Sequence, residues 1–382
     1  MESFITLAFG VALGTSLVLV FTKHWHGHFS LDHTEGVQKF HTKPTPRIGG
    51  IAIGAGMVAG YALAPAAVRA LLGPLLLASI PAFAAGMAED VTKRVGVKAR
   101  LLATMVSGAL ACGLTGFALN RVGIPYVNEL LVWTPLAILF TAFAAAGVAN
   151  AINIIDGFNG LSSGTALIAL AALGSLAGLQ GDEPLVWLCA LTAAAIGGFW
   201  LVNFPLGKLF LGDGGAYFVG FALAWIAVLL LMRHPAVSPW AALLACGYPV
   251  IEVLYSVWRR WRNKLSAGAP DSMHLHSLVK TQLIMPRFPN WHPRLRNAAV
   301  SPAMWLYAGL TASLGVVLQG AAESTLAASF AACVLVYHLV YQRLAARARL
   351  HPTANSDLAG LTSAPAPLEG LPEARTKPTH QP

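Results

Sequence analysis

Few side chains in this sequence can do chemistry, and they recur at particular places. Only 16 of the 382 residues are Asp or Glu, and several of them stand beside glycines or amides between long apolar runs. The densest stretch is Asn150 to Gly164, with Asn150, Asn153 and Asn159, the carboxylate of Asp156, and Gly157, Gly160 and Gly164. A polar group left unsatisfied in lipid is costly, so this stretch is expected where water or a ligand reaches it. Asn150, Asn153 and Asp156 recur every three residues and share one face of a helix end. Amide and carboxylate oxygens on one face suit a hard cation such as Mg²⁺. An ordinary polar connection between helices would carry the same residues.

Five further places qualify. Glu89 and Asp90 are adjacent carboxylates with Lys93 three residues on; such a pair can serve as a base or bind a metal, or simply form a helix-end ion pair. Phe210-Leu211-Gly212-Asp213-Gly214-Gly215 sets a carboxylate in a glycine turn before an apolar run, suited to a metal, to a phosphate near backbone N–H groups, or to capping the next helix. Lys39, Lys43 and Arg47 flank Pro44-Thr45-Pro46 and precede Gly49-Gly50, where they attract phosphate or lipid headgroups, or act as a basic membrane flank. His274 and His276 alternate, so that they point to one side of an extended segment and suit phosphate better than zinc. Glu252 stands inside an apolar run, where a carboxylate is functional or paired with a neighbouring helix. No P-loop, dinucleotide fingerprint or nucleophile elbow is present.

The elements that must position these groups are membrane helices. The composition is 56% hydrophobic and 11% charged, against about 25% charged in soluble domains. Apolar runs of about 20 residues, enough to cross a bilayer, recur along the chain. The pattern predicts an all-α polytopic membrane protein with eleven spans: 4–22, 49–70, 71–88, 101–119, 130–149, 161–179, 184–202, 215–232, 239–258, 302–319 and 325–342. The first run reads as a retained span. Of 25 Lys and Arg, only Arg69, Arg121 and Arg233 fall on one set of loops, which places that set outside, the amino terminus outside and the carboxyl terminus inside. The acids above then share the inner face. Residues 1–345 form the membrane domain, and 346–382, rich in Pro, Ala, Thr and Ser, are expected to be a disordered tail. Cys112, Cys189, Cys246 and Cys333 are scattered in apolar runs without disulfide or zinc spacing.

Taken together, Pro-Thr-Pro-Arg-x-Gly-Gly at 44–50, Glu-Asp-x-x-Lys at 89–93, Asn-x-x-Asn-x-x-Asp-Gly-x-x-Gly-Leu at 150–161, Phe-x-Gly-Asp-x-Gly at 210–215 and His-x-His at 274–276 resemble the polyprenyl-phosphate N-acetylhexosamine-1-phosphate transferases, glycosyltransferase family 4. Because a run of three histidines is absent, the resemblance is closer to the WecA-like branch than to the MraY branch. It covers about residues 1–345. It implies an enzyme of the bacterial inner membrane, working on the cytoplasmic face, that passes a sugar 1-phosphate from a UDP-sugar to undecaprenyl phosphate. UMP is released, and a lipid-linked envelope glycan such as O-antigen begins. The implied cofactor is Mg²⁺ or Mn²⁺. Partners are the two substrates and membrane lipids, with a homodimer left open and no nucleic acid.

Carried onto this sequence, the resemblance makes Asn153 and Asp213 metal ligands, and Glu89 or Asp90 the base or positioner for the lipid phosphate. Asp156 is the carboxylate of the central motif. Lys39, Arg47 and Lys93 hold phosphate, and His274 and His276 face the diphosphate and sugar. Phe210 and Asn159 are placed to cover the face and pair with the edge of uracil. Here Glu89 stands where the family usually has Asp, Asn159 where many members have Asp, and Ser277 where a third histidine is common. A secondary transporter with intramembrane carboxylates is the alternative, since it too needs many spans and glycine-broken helices. A non-catalytic scaffold would need none of the clustered acids.

Overall fold

The computed structural model describes residues 3–32, 44–264, 271 and 273–350. Lys39 lies outside the described residues, as does the tail beyond Leu350. The chain is built of helices α1 (Ser3–Phe21), α2 (Lys23–Ser30), α3 (Gly50–Leu63), α4 (Ala66–Thr92), α5 (Val97–Thr115), α6 (Pro125–Leu131), α7 (Thr134–Ile155), α8 (Leu161–Leu179), α9 (Glu183–Asn203) and α10 (Gly212–Arg233). They continue as α11 (Pro239–Ala245), α12 (Gly247–Arg262), α13 (Leu275–Val279), α14 (Met285–Arg287), α15 (Pro293–Ala298), α16 (Val300–Val317) and α17 (Glu323–Leu350). A two-residue antiparallel pair, β1 (Leu31–Asp32) with β2 (Thr45–Pro46), closes the first connection. Among the described residues, nine helical stretches are long and apolar enough to cross a membrane, and the bent pair α11 and α12 would make a tenth.

Each expected span finds a helix, with three corrections. The second ends at Leu63 and not at residue 70, because Ala64 and Pro65 take extended backbone ahead of α4. The resulting α3 has 14 residues, about 21 Å of helix, short of a full hydrocarbon core. The ninth span is broken by 88° between α11 and α12. The last helix runs to Leu350, so the first five residues assigned to the tail belong to it.

Helix α10 is the axis of the fold. Every residue from Gly212 to Ile226 is buried. Helices α4 and α7 pack along it most extensively, and α8, α3 and α5 complete its surroundings. In the outer layer α1 lies against α3 and α9, while α16 lies against α8 and α11. Pro81 lies inside α4 without breaking it, and the next amide, Ala82 N–H, donates to Ser107 Oγ of α5 at 3.0 Å. At the end of α10 remote from Asp213, Arg233 forks onto Asp182 at 2.6 and 2.9 Å, and His234 Nε2 lies 2.7 Å from the same carboxylate. These contacts hold Asp182 below the usual carboxylate range, against the opposing effect of its burial.

Candidate active site

The site is assembled at the first turn of α10. Gly212 has φ +75°, and a Cβ there would strike the Arg47 carbonyl and lie 2.6 Å from Asp90 Oδ2, so only glycine fits. The segment before α3 is laid along the residues before α10. Phe210 N–H donates to Pro46 O at 2.8 Å, Gly49 N–H to Phe210 O at 2.9 Å and Gly50 N–H to Leu211 O at 3.0 Å. This strap carries Arg47 to the start of α10. From the other side α4 approaches until a Cβ on Gly86 would sit 2.6 Å from Gly214, which brings Asp90 to the same point.

Asp90 is fully buried. Its oxygens accept the N–H of Asp213 at 2.9 Å and of Gly214 at 2.8 Å, so it caps the positive end of α10 from another helix. Arg47 Nε stands 3.0 Å from Asp90, and Arg47 Nη2 donates to Asp213 Oδ1 at 2.8 Å. Arg100, at the start of α5, pairs with Asp213 Oδ2. Asn153, in the last turn of α7, lies 3.1 Å from Asp213 Oδ1. The result is a compact array of two carboxylates, two guanidinium groups and an amide. Asp213 is itself within the helix, so the capping residue is Asp90.

The central segment lies at the end of α7. Asn150 and Asn153 lie on the last turns of α7, and Asp156 closes that helix. Tyr217 Oη of α10 donates to Asn150 at 3.2 Å. Ser162 Oγ donates to Asp156 Oδ1 at 2.5 Å. Burial pushes the Asp156 carboxyl up to about 7, although the Ser162 bond and the Arg47 charge oppose the rise.

Other expected residues have different settings. Glu89 Oε2 accepts Val95 N–H at 2.7 Å and so shapes the turn after α4. Lys93 is exposed, with left-handed backbone, and Nζ donates to Asp90 O at 2.6 Å. Asn159 is buried, and its amide donates to Pro205 O at 2.9 Å and lies 3.5 Å from Arg294 O. That placement ties Asn159 to the loop after α9 and to α15, whereas half-buried Phe210 lies on the strap. The segment of His274 and His276 is extended only at His274, with helix α13 starting at Leu275. The two rings nevertheless stack, 5.2 Å apart and 13° from parallel. His276 meets Phe158 edge-on at 5.5 Å, which joins α13 to the central segment. Glu252 is paired, as a carboxylate at that depth requires: Oε1 lies 3.0 Å from His274 Nδ1.

Arg100 escaped sequence reading. Its signal was one of several basic residues at the start of a span, indistinguishable from a basic flank. Lys280, buried and 5.5 Å from the Phe158 ring, escaped too. Among the described residues no three or more His, Cys, Asp or Glu side chains converge as a metal cluster. Residues 72–231 match the model of glycosyl transferase family 4. The matched stretch is similar to a glycosyl transferase family 4 domain. It runs from α4 to α10 and includes Asp90, Arg100, Asn153, Asp156 and Asp213. Arg47 and the histidine segment lie outside the matched range.

The chain is similar to a probable undecaprenyl-phosphate N-acetylglucosaminyl 1-phosphate transferase of Bacillus subtilis (strain 168), 27% identical over 63% of this chain and 66% of that protein. It is similar to undecaprenyl-phosphate alpha-N-acetylglucosaminyl 1-phosphate transferases of Salmonella typhi, 28% identical over 63% of this chain and 67% of that protein, and of Escherichia coli (strain K12), 26% identical over 70% and 74%. The match spans about two thirds to three quarters of those relatives' length. Relatives that are transferases by name do not favour the transporter alternative.

Proposed function

We propose that this chain transfers a sugar 1-phosphate, N-acetylglucosamine 1-phosphate in the first instance, from a UDP-sugar to undecaprenyl phosphate. An oxygen of the lipid phosphate attacks the sugar-linked phosphorus, the bond to the UMP oxygen breaks, and UMP leaves. The observation that carries the reading is Asp213 at the buried start of α10, with Asn153 and two arginines on its carboxylate and Asp90 beneath it. The names of the relatives support the same chemistry.

Two phosphate groups meet in this reaction, and their repulsion must be offset. Arg47 and Arg100 supply fixed positive charge beside Asp213. A divalent cation, Mg²⁺ or Mn²⁺, suits the hard oxygens of Asp213 and Asn153; its remaining ligands would be phosphate and water, as is usual for Mg²⁺. When bound it would neutralise charge developing on the diphosphate. Both Asp90 oxygens already accept hydrogen bonds, so Asp90 places Asp213 and Arg47. Asp156, whose carboxyl is poised near neutral pH, is the better group to take a proton from an incoming lipid phosphate. The skew of basic residues supports an inner-membrane enzyme with its site facing the cytoplasm.

Purified protein given UDP-N-acetylglucosamine and undecaprenyl phosphate should release UMP and form the lipid diphosphate sugar. Chelation of divalent cations should stop the reaction and Mg²⁺ restore it. No UMP release over a panel of UDP-sugars would sink the reading.

A further inference from the structure

The bend between α11 and α12 places two buried side chains against the histidine segment. Tyr248 and Glu252 stand four residues apart on one face of α12, and both are about fully buried. Glu252 Oε1 lies 3.0 Å from His274 Nδ1 and 3.3 Å from Leu275 N. A carboxylate only accepts, so this pair fixes the proton of His274 on Nδ1. The opposite nitrogen, His274 Nε2, lies 3.7 Å from Asp271. Asp271 is anchored in turn by Arg259, by Arg260 at 3.3 Å, by Ser256 Oγ at 3.1 Å and by Met273 N–H at 2.9 Å. Both nitrogens of His274 are therefore directed at carboxylates of the α12 side.

His276 is set differently. Its Nδ1 lies 3.2 Å from Tyr248 Oη and 3.9 Å from Glu252 Oε2. Its Nε2 is turned the other way, 3.6 Å from where a Cβ on Gly157 would sit, next to Asp156 in the chain. Stacking on His274 fixes the plane of the ring, and the edge of Phe158 limits its tilt.

We propose that Glu252 is a positioning residue for the donor site: it holds His274 as a strut, and the strut together with Tyr248 presents His276 Nε2–H toward the Gly157 turn as a hydrogen-bond donor to the donor-substrate phosphates. Of the two histidines, only His276 meets substrate. The inference rests on the proposed transferase reading for the identity of the substrate, but not for the internal geometry. Burial lowers the His276 value to about 4, so the ring is neutral at pH 7. In the proposed arrangement Tyr248 Oη, 3.2 Å away, donates to Nδ1 and the ring proton sits on Nε2.

The test has two arms. In ¹⁵N-histidine-labelled protein, the nitrogen shifts report which ring nitrogen is protonated, whatever the activity. His274 should carry a proton on Nδ1 and His276 on Nε2, each resonance identified by its loss in His274→Asn or His276→Ala. Glu252→Gln, which keeps shape and an acceptor but removes charge, should shift both signals. In the kinetic arm, Glu252→Gln should lower kcat/KM for the UDP-sugar on the order of tenfold, through donor KM, with the undecaprenyl phosphate KM unchanged. In the His276→Ala background the same substitution should cost nothing more, because it acts through that ring. Binding of UDP-N-acetylglucosamine by calorimetry gives the same cycle if turnover is too slow to read. Independent, multiplying losses, or His276 protonated on Nδ1, would overturn the proposal. Wild-type protein that neither binds this nucleotide sugar nor releases UMP would overturn the transferase reading instead, while the nitrogen shifts still decide the role of Glu252.

Discussion

At the scale of single residues, the site is a balance of buried charges. Asp213 partners two guanidinium groups, so Asp213→Asn should cost transfer on the order of 100-fold or more and should also lower the thermal midpoint by leaving Arg100 undercompensated. UMP release and a melting curve on the same preparation check both; near wild-type turnover at low Mg²⁺ would refute the assignment. Asp156 makes a pH prediction. Its value is raised to about 7 by burial, so the proton-accepting form is lost as pH falls through 7, and kcat/KM should rise between about pH 6 and 8. Ser162 donates to the charged form, so Ser162→Ala should raise the value further and move that limb to higher pH. For stability, the raised carboxyl value means that the contribution of Asp156 to folding is largest below the unfolded value and is lost as pH rises through about 7. Phe210→Ala should raise the donor KM on the order of tenfold, the size of one lost base–aromatic stack, with little change for the lipid. The acids were readable because a carboxylate beside glycine in an apolar chain has few ordinary uses. Arg47 was readable only within its motif. Arg100 was not readable, since its partner is 113 positions away and no local pattern marks a tertiary ion pair.

At the scale of elements, the apolar runs gave the helices and the prolines gave some of their ends. Pro65 ends the short α3, whereas Pro74 and Pro81 lie inside α4, and beside Pro81 the Ala82 N–H is taken up by Ser107 Oγ of α5. Hydropathy cannot distinguish these cases. It also cannot see the bend at Cys246, where Gly247 lies close against Thr311 of α16. Asn159 was read as a ligand for uracil from its motif position; its burial against Pro205 and Arg294 is a tertiary fact. Close packing at the start of α10 yields a further prediction. Gly212→Ala forces a side chain into left-handed backbone and onto Arg47, at a cost of about 1–3 kcal/mol. Transfer should fall with it, and a second-site change in α1 should not restore either. Unchanged melting and activity would show that the strap and α10 are less tightly joined than described.

At the scale of the whole molecule, topology decides whether the site can work. The four native cysteines are buried, so single cysteines can be introduced against a quiet background. Cysteine at Lys208 or Arg287, both exposed, should react only with reagents that reach the cytoplasm, and cysteine at Gly181 only from the opposite side. Labelling of Lys208→Cys from outside would invert the enzyme and end the proposed use of cytoplasmic UDP-sugar. The ion array has a different consequence, for synthesis. Arg47, Asp90 and Arg100 are made early, and together they carry one excess positive charge. The residue that neutralises it, Asp213, follows Asp90 by 123 positions. At ribosomal rates that is a wait of about 6–25 s, during which α4 and α5 are already available for insertion. A nascent chain stopped in that interval has a surplus arginine and no α10 to receive the strap. The charge that completes the array thus arrives only with α10, and a chain stopped before it keeps one guanidinium without its carboxylate.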